Sequence, residues 1–591
     1  MGFFRLVGSS SQPILGLVNS IVPKPAPSAV RLPTGFEPIP ATPLDKIELV
    51  VRKLDEKKLA WVQTSAKDRA SLLRRTLQTT LQVMKTAATV STQAKGVYGA
   101  GIGEEYFAFV PIVSCLRELA EALDCNGAPK PYSLTRRPDG QYVADVMPRG
   151  LEGIFFGGWK GEIWVQKGKP PSQGRAYREP SKTGHVALVL GAGNQAAVGA
   201  TDILNELFVN SAVVVCKMNP VNEYLGPYFR QAFAPLVEAG IMEVVYGGAA
   251  EGEKLCTHPL ISAIHLTGSA DTYNMIVWGK DNPNKIGKPK INKIVTAELG
   301  CVTPYLITPG EWSQSDIEYH ASAVAGALAH NAGHNCIKPE LIITAKDWPQ
   351  REAFVKALRK ALAESPCRAA YYPGSEKRAA NFRKYHERAE ALGNPHIAEN
   401  CNEAKVQAMP FLFQAGLSPK QACMDVENWC GVLQEVAIPD CGSDPVAFLK
   451  QATLLANESC WGTLSCSLFV PPNVQNRHPA AVDEAIASLK YGSVCINAPS
   501  IIGFPCTRLS WGAFPGHTQK DIQSGNTVVH NTLLFDHVEK SVLHVPWRWY
   551  PTPYWLSRNR NLEGLAMAAA PFFANPSFLN LFPAALAALR C

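Results

Sequence analysis

The sequence lacks the patterns typical of disulfide-rich, nucleic acid-binding and lipidated proteins. Its 16 cysteines form no CxxC pair and are irregularly spaced over 591 residues, so we expect buried, reduced thiols in an intracellular protein. The 57 basic and 50 acidic side chains give a net charge of +7 without any Lys/Arg block, which argues against nucleic acid as a partner. The myristoylation pattern also fails, because Leu6 stands where Ser or Thr is required.

The two ends of the chain differ in composition from the rest. Residues 1–36 contain basic residues and serines, but no acid occurs before Glu37. This suits an organellar transit peptide and a frayed terminus equally, so both a cytoplasmic and an organellar location stay open. Residues 564–589 carry no charge and are long enough to span a bilayer, but they contain three prolines and two asparagines. We expect this tail to dock on the protein or to lie at a membrane surface rather than to span it.

Hydrophobic periodicity divides the rest of the chain into segments. Short apolar runs that end at glycine or a polar residue alternate with stretches of helical spacing, and this predicts parallel sheets with crossover helices. Within the second alternating region we expect helices at 314–330, 349–364 and 375–392, and strands at PELIITA and TLSCSLFV. The predicted divisions are a leader or linker at 1–43, a helical preface and first sheet domain at 44–298 with an arm-like insert at about 127–183, a second sheet domain at 299–500, a return segment at 501–545 and an apolar C-terminal extension at 546–591.

Polar residues follow several of the predicted strands. They are Asn194 after HVALVLG, Lys217 at the end of SAVVVCK, Gly268 and Ser269 at the end of SAIHLTGS, and Glu298 in NKIVTAEL. In open parallel sheets, ligands bind beyond the carboxyl ends of the strands. We therefore expect these side chains to share one site.

Together with Cys336, these residues suit a reaction at a carbonyl group. A thiolate attacks carbonyl carbons, and the oxyanion that forms needs donors such as the Asn194 amide. Loss of hydride to a cofactor leaves a thioester, and Glu298 can then activate water to release the acid. Lys217 can hold ribose hydroxyls, and a helix that begins at Gly268 and Ser269 can receive phosphate.

In order and spacing these residues resemble the aldehyde dehydrogenase superfamily over roughly residues 45–540. NAGHNCIKPE is similar to the family's nucleophile loop, with Cys336 three residues after Gly333, and TAELG places Glu298 as its general base. Three further segments carry the resemblance: LGAGN (Asn194, the oxyanion asparagine), NSAVVVCK (Lys217, the cofactor-ribose lysine) and HLTGS (Gly268 and Ser269, the pyrophosphate turn). ENWCGVLQEVAI is similar to the segment whose glutamate, here Glu427, holds the nicotinamide ribose.

The resemblance implies an α/β fold with two doubly wound parallel-sheet domains, one binding the cofactor and one catalytic, a β arm and a C-terminal extension. It implies oxidation of an aldehyde to the carboxylic acid through a Cys336 thiohemiacetal and thioester, with hydride transfer to NAD or NADP and hydrolysis assisted by Glu298. A small-molecule aldehyde is the expected partner, together with a second copy of the chain in a homodimer. No metal is indicated.

Several positions depart from the family pattern. Cys301 replaces the second glycine of Glu-Leu-Gly-Gly, and Tyr273 replaces the second glycine of the phosphate turn, which predicts an altered cradle for the pyrophosphate. Trp429, Cys430 and Gly431 replace Phe-Gly-Pro. Pro220 stands where NAD-preferring relatives often have a glutamate, so NADP stays open beside NAD. The arm segment GGWKGEIWVQKGKPP hardly resembles the family.

The segment after the nucleophile, Cys-Ile-x-Pro-Glu, is similar to the branch that oxidises fatty and aromatic aldehydes, which favours a hydrophobic aldehyde. Some members of that branch have apolar tails that hold them to membranes. Two alternatives stay open: a relative that passes the acyl group to coenzyme A or works in the reducing direction, and a non-catalytic scaffold subunit. Glu298 argues against the first, since acyl-transferring relatives lack it, and the set Asn194, Glu298 and Cys336 argues against the second.

Overall fold

The computed structural model describes residues 39–97, 101–394, 408–556 and 558–591. The predicted transit peptide at 1–36 therefore lies outside the described residues. The α-helices are α1 Leu44–Gln63, α2 Ala66–Ala94, α3 Ile102–Phe107, α4 Val110–Asp124, α5 Glu152–Phe155, α6 Arg175–Arg178, α7 Ala196–Leu204, α8 Gly226–Ala232, α9 Ala234–Glu238, α10 Ala249–Thr257, α11 Ala270–Trp278, α12 Gln314–Ala329, α13 Arg351–Glu364, α14 Ser375–Tyr385, α15 Pro445–Ser459, α16 Pro472–Arg477, α17 Pro479–Ser488, α18 Leu562–Ala574 and α19 Phe578–Leu589.

The strands are β1 Ser133–Arg136, β2 Tyr142–Met147, β3 Lys160–Val165, β4 Val186–Leu190, β5 Val213–Lys217, β6 Met242–Val245, β7 Ile261–Gly268, β8 Ile294–Leu299, β9 Thr303–Ile307, β10 Pro339–Ala345, β11 Arg368–Ala369, β12 Glu390–Leu392, β13 Ala408–Met409, β14 Phe411–Leu417, β15 Val432–Ile438, β16 Ser465–Phe469, β17 Ser493–Ile496, β18 Trp511–Gly512, β19 Val528–Val529 and β20 Val538–His544. The predicted α/β fold with two parallel sheets is confirmed.

The smaller sheet has the strand order β6-β5-β4-β7-β8, and all its neighbouring strands are parallel. Two of its central strands, VALVL and VVVCK, are almost wholly apolar because helices cover both faces of the sheet, and all their residues except the half-buried Leu190 are buried. The order reverses at β4, so the loops after β4 and β7 diverge and leave a crevice at the carboxyl ends of the strands.

The larger sheet has the order β1-β2-β3-β20-β17-β16-β9-β10-β15-β14-β12. Its strands from β20 to β14 pair in parallel, while β1, β2, β3 and β12 pair in antiparallel fashion. The segments 127–183 and 501–545 thus add β1–β3 and β20 to the sheet of residues 299–500. The domain bounds drawn from the sequence stay a prediction.

Some element boundaries differ from those expected. The helix expected at 375–392 ends at Tyr385, and Glu390–Leu392 instead pairs with β14 as an edge strand. The helical stretch at 226–238 breaks at Phe233, because Pro235 lacks the N–H needed to continue the helical hydrogen bonding. The helices near 314–330 and 349–364, and the strands at PELIITA and within TLSCSLFV, lie where the sequence places them.

The apolar C-terminal segment forms a helical hairpin, α18 and α19. Helix α18 packs against α3 and α4 and buries Leu565 and Phe572, and α19 packs against α18. The start of α19 carries three large apolar side chains in solvent, Phe578, Leu579 and Phe582, which are 72%, 87% and 73% exposed; we call them the apolar tip. Among the described residues, no helix has both the length and the apolar character needed to cross a membrane.

Candidate active site

A cleft of about 790 Å³ opens at the carboxyl ends of the smaller sheet and reaches the second sheet domain. We call it the strand-end cleft. All the residues predicted for the site line it: Asn194, Lys217, Gly268, Ser269, Glu298, Cys336 and Glu427. The parallel topology explains the first five, since it brings residues more than a hundred positions apart to the same edge of the smaller sheet. Cys336 and Glu427 reach the cleft from loops before β10 and β15 of the larger sheet.

The candidate nucleophile and base touch each other. The thiol of Cys336 donates a hydrogen bond to Glu298 Oε1 at 3.5 Å. Glu298 lies in β8, where it is paired in register with Thr267 of β7 and is fully enclosed. Its other oxygen, Oε2, has no hydrogen-bond partner among the described residues. The thiol proton therefore has an acceptor in contact, and a second carboxylate oxygen stays available for water.

Low polarity around this pair shifts both pKa values upward. Burial, with the charge of Asp202 as the next cause, raises the pKa of Glu298 from 4.5 to about 7. Burial and the neighbouring Glu298 raise the pKa of the Cys336 thiol well above its usual range. The resting thiol is thus protonated, and Glu298 is the carboxylate placed to accept its proton.

Asn194 follows β4 and faces the same thiol loop. Its Nδ2 donates to the backbone carbonyl of His334 at 3.0 Å, which leaves the second amide hydrogen free of that bond. The backbone carbonyl of Asn194 accepts a hydrogen bond from Asn331 Nδ2 at 3.1 Å. Asn194 is therefore held by both its side chain and its backbone in the cleft that Cys336 also lines, which suits an oxyanion donor.

The nucleophile loop, residues 331–336, has an unusual backbone. Asn331, Ala332 and Gly333 have φ values of 51°, 56° and 75°, so three consecutive residues adopt the left-handed conformation. A Cβ on Gly333 would lie 2.7 Å from the backbone nitrogen of Gly431, so only glycine fits this contact between the two loops. Cys336 follows this turn directly and faces the strand-end cleft.

Glu427 reaches the cleft from the loop before β15. Its Oε1 accepts a hydrogen bond from the Cys301 backbone N–H at 3.2 Å, and its carboxylate fills the place that a Cβ on Gly300 would need. Burial and the neighbouring Glu340 raise its pKa to about 8. The glycine of Glu-Leu-Gly thus makes room for this carboxyl group.

The cofactor half of the cleft contains Lys217 and the start of α11. Lys217 Nζ has one long hydrogen bond, 3.4 Å to the Met218 carbonyl, and burial lowers its pKa. Ser269 caps α11 by accepting from the Thr272 N–H at 3.2 Å. The remaining N–H donors of Lys217 suit hydroxyl groups, and the positive end of helix α11 suits a phosphate group.

The departures from the family pattern alter the cleft less than the sequence suggests. Tyr273 is fully buried among apolar residues of the smaller sheet and is absent from the cleft lining. The expectation that it reshapes the phosphate cradle is therefore wrong, because its side chain turns into the core. Cys301 likewise packs into the core of the larger sheet. Pro220 and Trp429 do line the cleft.

Some residues at the site carried no signal in the sequence. Asp202 is buried behind Glu298 and accepts a hydrogen bond from Thr267 at 2.8 Å. Tyr372 and Arg378 line the strand-end cleft near Cys336. All lie in ordinary helical or loop patterns, so only the fold reveals them. Among the described residues, no group of three or more His, Cys, Asp or Glu side chains is placed to hold a metal ion.

Comparison with known proteins identifies a family likeness in the middle of the chain. The model of the aldehyde dehydrogenase family matches residues 194–399, which include Asn194, Lys217, Glu298 and Cys336. This segment is similar to the aldehyde dehydrogenase family.

The likeness to curated proteins in sequence is distant and covers short segments. Curated relatives include an aldehyde dehydrogenase of Enchytraeus buchholzi, 33% identical over 114 residues (19% of this chain and 20% of the relative). Human mitochondrial succinate-semialdehyde dehydrogenase is 30% identical over 148 residues, covering 23% and 24% of the two chains. The matched segments thus span only a fifth to a quarter of these relatives.

Solved structures agree with the chain over a much greater length. An indole-3-acetaldehyde dehydrogenase in complex with NAD+ superposes with a TM-score of 0.59 at 16% identity, covering 85% of this chain and 90% of that one. An NADP-dependent glyceraldehyde-3-phosphate dehydrogenase from Bacillus halodurans gives 0.57 at 18% identity, with 85% and 92% covered. At these identities the likeness establishes the fold.

Proposed function

We propose that the protein oxidises an aldehyde to the carboxylic acid with NAD or NADP as hydride acceptor. The observation that carries this proposal is the 3.5 Å contact between the Cys336 thiol and Glu298, in the same cleft as Lys217 and the start of α11. The match of residues 194–399 to the aldehyde dehydrogenase family supports it. The solved relatives bound to NAD+ and NADP support the choice of cofactor.

The cleft suits a dinucleotide in size and chemistry. Its volume of about 790 Å³ falls within the usual range for ligand sites. Lys217 Nζ, with a single long bond inside the protein, would bind ribose hydroxyls, and the free N–H groups after Ser269 would meet the pyrophosphate. Glu427 would hold the ribose nearest to Cys336. A bound nicotinamide would supply the hydride acceptor.

The first chemical step follows from the thiol–carboxylate contact. Ionised Glu298 accepts the Cys336 proton as Sγ forms a bond to the aldehyde carbon, and the carbonyl π electrons move to oxygen. The resulting thiohemiacetal oxyanion is stabilised by the free N–H of the Asn194 amide. Departure of hydride from that carbon restores the carbonyl group and leaves a thioester on Cys336.

The second step is hydrolysis of this thioester. Glu298 takes a proton from a water molecule, and Oε2 is the oxygen with no competing partner. The water oxygen attacks the acyl carbon, the C–S bond breaks, and the cysteine sulfur recovers a proton. Because Glu298 serves both steps, it must release its first proton before the water attacks.

The cleft lining favours an aldehyde with an apolar or aromatic group. Tyr372 and Trp429 line the cleft with their ring centroids 5.6 Å apart, and both rings pack against His334 of the nucleophile loop. Arg378 lines the same region, so an aldehyde with a carboxylate is the competing substrate class. We also propose that the apolar tip contacts a membrane surface and that the chain forms a homodimer.

The test measures NADH or NADPH formation at 340 nm with octanal, benzaldehyde and succinic semialdehyde. We expect turnover of at least one aldehyde with one cofactor, and loss of that turnover in Cys336→Ser. Turnover that needs coenzyme A would identify the acyl-transferring alternative. A purified protein that binds cofactor but turns over none of these aldehydes would identify the scaffold alternative and overturn the proposal.

A further inference from the structure

A lysine from the helical preface reaches the back of the active site. Lys95 directly follows α2 and is only 3% exposed. Its Nζ donates three hydrogen bonds: 2.8 Å to Glu105 Oε1, 2.7 Å to the Asn194 backbone carbonyl and 3.1 Å to Asn331 Oδ1. All three N–H donors of the Lys95 ammonium group are thus engaged, and two of their acceptors belong to residues of the reaction centre.

These two acceptors belong to the loops that must meet for catalysis. Asn194 follows β4 and presents the oxyanion amide, while Asn331 begins the nucleophile loop. The Asn331 amide nitrogen donates to the Asn194 carbonyl at 3.1 Å and to the His334 carbonyl at 3.0 Å. The Tyr371 hydroxyl donates to Asn331 Oδ1 at 2.9 Å. Lys95 therefore lies at the junction of two loops from different parts of the chain.

The nucleophile loop needs such a junction, because its backbone is strained. Asn331 and Ala332 are not glycine, yet both have left-handed φ values, and such residues persist only where their surroundings hold them. Lys95 fixes the Asn331 side chain directly. Beyond Lys95, the loop is also held by the Glu104 carboxylate, which accepts from the Asn331 N–H at 2.8 Å.

We propose that Lys95 is a positioning residue, which holds the Asn194 amide and the Cys336 thiol in register through Asn194 and Asn331. It contacts no reacting atom and is absent from the cleft lining. This inference rests on the proposed function, since it assigns the reaction centre to those two residues. It adds an element outside both sheets, the end of α2, to the machinery of the site.

A purely structural reading of Lys95 gives it one task, neutralising the buried Glu105. Glu105 also accepts from the Ser91 hydroxyl at 2.6 Å, so the carboxylate has support of its own. The structural reading predicts that removal of Lys95 lowers stability and leaves thiol chemistry intact in the folded fraction. The positioning role predicts a loss of thiol chemistry in protein that is fully folded.

The experiment compares Lys95→Met with the double variant Lys95→Met/Glu105→Gln, which leaves no unpaired buried charge and so favours a folded product. Lys540→Met is the matched control. Lys540 is equally buried and its Nζ donates to three backbone carbonyls, those of Ile486, Ala487 and Leu489, at 2.7–3.1 Å. It lies in β20, away from the strand-end cleft.

Three quantities are measured on each variant: the rate of the first-turnover burst of reduced cofactor, the dissociation constant of the cofactor, and the rate of Cys336 alkylation by iodoacetamide, read by peptide mass spectrometry.

We expect the burst to slow by about 10–100-fold in both Lys95 variants, since a misplacement of about 1 Å costs that much. We expect alkylation to slow at least about fivefold, because the thiol loses its contact with Glu298, while cofactor affinity stays within about twofold. Lys540→Met should match the wild type in all three quantities.

Burst and alkylation rates within twofold of wild type in a folded Lys95 variant would overturn the positioning role. So would an equal loss in Lys540→Met. If the wild type itself oxidises no aldehyde, the proposed function fails, and the alkylation rates still decide whether Lys95 positions the Cys336 thiol. The two failures are thereby distinguished.

Discussion

Replacing Glu298 with glutamine should slow the enzyme and make it more stable at alkaline pH. The folded protein raises the pKa of this carboxyl group from 4.5 to about 7, first through burial and then through the charge of Asp202. That difference corresponds to about 3 kcal/mol of free energy. Ionised Glu298 is therefore a destabilising group, held in place for its chemistry.

The sign of the pH dependence follows from proton binding. Below about pH 4.5 the carboxyl group is protonated in both the folded and the unfolded chain and has no effect. Between pH 4.5 and 7 the unfolded chain releases the proton first, so the free energy of unfolding falls as the pH rises. Above pH 7 the full loss of about 3 kcal/mol is present, and glutamine removes it because it does not ionise. The buried amide of the introduced glutamine also needs hydrogen-bond partners, and this reduces the increase in the free energy of unfolding.

The assay has a stability arm and a kinetic arm. In thermal unfolding at pH 5, 6, 7 and 8, the stability of Glu298→Gln relative to the wild type should increase as the pH rises. The control variant Glu364→Gln, at an exposed position, should differ from the wild type by the same amount at every pH. In single-turnover experiments the variant should form the thioester more slowly, because the Cys336 proton loses its acceptor. Once formed, the thioester should persist, with acid release slowed about 10²–10⁴-fold. The wild-type release rate should rise through an inflection near pH 7, and the variant should lack it.

Two results would refute this reasoning. Acid release at the wild-type rate in Glu298→Gln, without coenzyme A, would remove Glu298 from the hydrolytic step. A variant less stable than the wild type at pH 8, with no trend from pH 5, would show that the buried carboxylate does not carry the expected penalty.

Three further predictions concern the rest of the chain. Asn194→Ala should slow thioester formation about 10²–10³-fold with cofactor affinity unchanged, measured by burst kinetics and calorimetry; an unchanged burst would exclude the oxyanion role. Gly300→Ala should displace Glu427 and weaken cofactor binding in calorimetry while Cys336 alkylation stays at the wild-type rate; unaltered binding would contradict the place given to Glu427. Changing all three residues of the apolar tip to serine should abolish co-sedimentation with phosphatidylcholine vesicles, and a wild type that stays in the supernatant would rule out the membrane contact.

The sequence predicted which residues the structure brings together in the strand-end cleft, because several of them lie at strand ends. Strands such as VALVL and VVVCK are recognisable as buried runs, and parallel pairing then brings Asn194, Lys217 and Glu298 to one edge whatever their separation along the chain. Motif order supplied Cys336 and Glu427, which belong to the other sheet domain. Little of this depended on the details of helix packing.

The supporting residues escaped prediction for the same physical reason in each case. Lys95 contacts Asn194 and Asn331 across 99 and 236 residues of sequence, and its position at the end of a long amphipathic helix predicts only a solvated lysine. Asp202 lies in the alanine-rich helix α7, whose pattern indicates a buried face but not what that face touches. Contacts of this kind depend on how elements pack, and periodicity within one element carries no information about them.

The direction of a side chain was a second source of error. Motif spacing showed that Tyr273 replaces a glycine in the phosphate turn, and the expected consequence was a changed cradle. Residue 273, however, lies one turn into α11, and its side chain points into the core. There Tyr273 packs with Val277 and the strands of the smaller sheet. A substitution in a motif changes the ligand site only if the side chain faces it.

Contact with the thiol distinguishes the two carboxyl groups of the cleft. Burial is the first cause that raises the pKa of Glu298, to about 7, and of Glu427, to about 8. Glu298 accepts a hydrogen bond from the Cys336 thiol, so its ionised form is the proton acceptor in the proposed reaction. Glu427 accepts instead from the Cys301 N–H, and in its protonated form it can also donate a hydrogen bond, which suits ribose hydroxyls. The same low polarity that hinders ionisation of the thiol thus raises the pKa of its proton acceptor toward neutral pH.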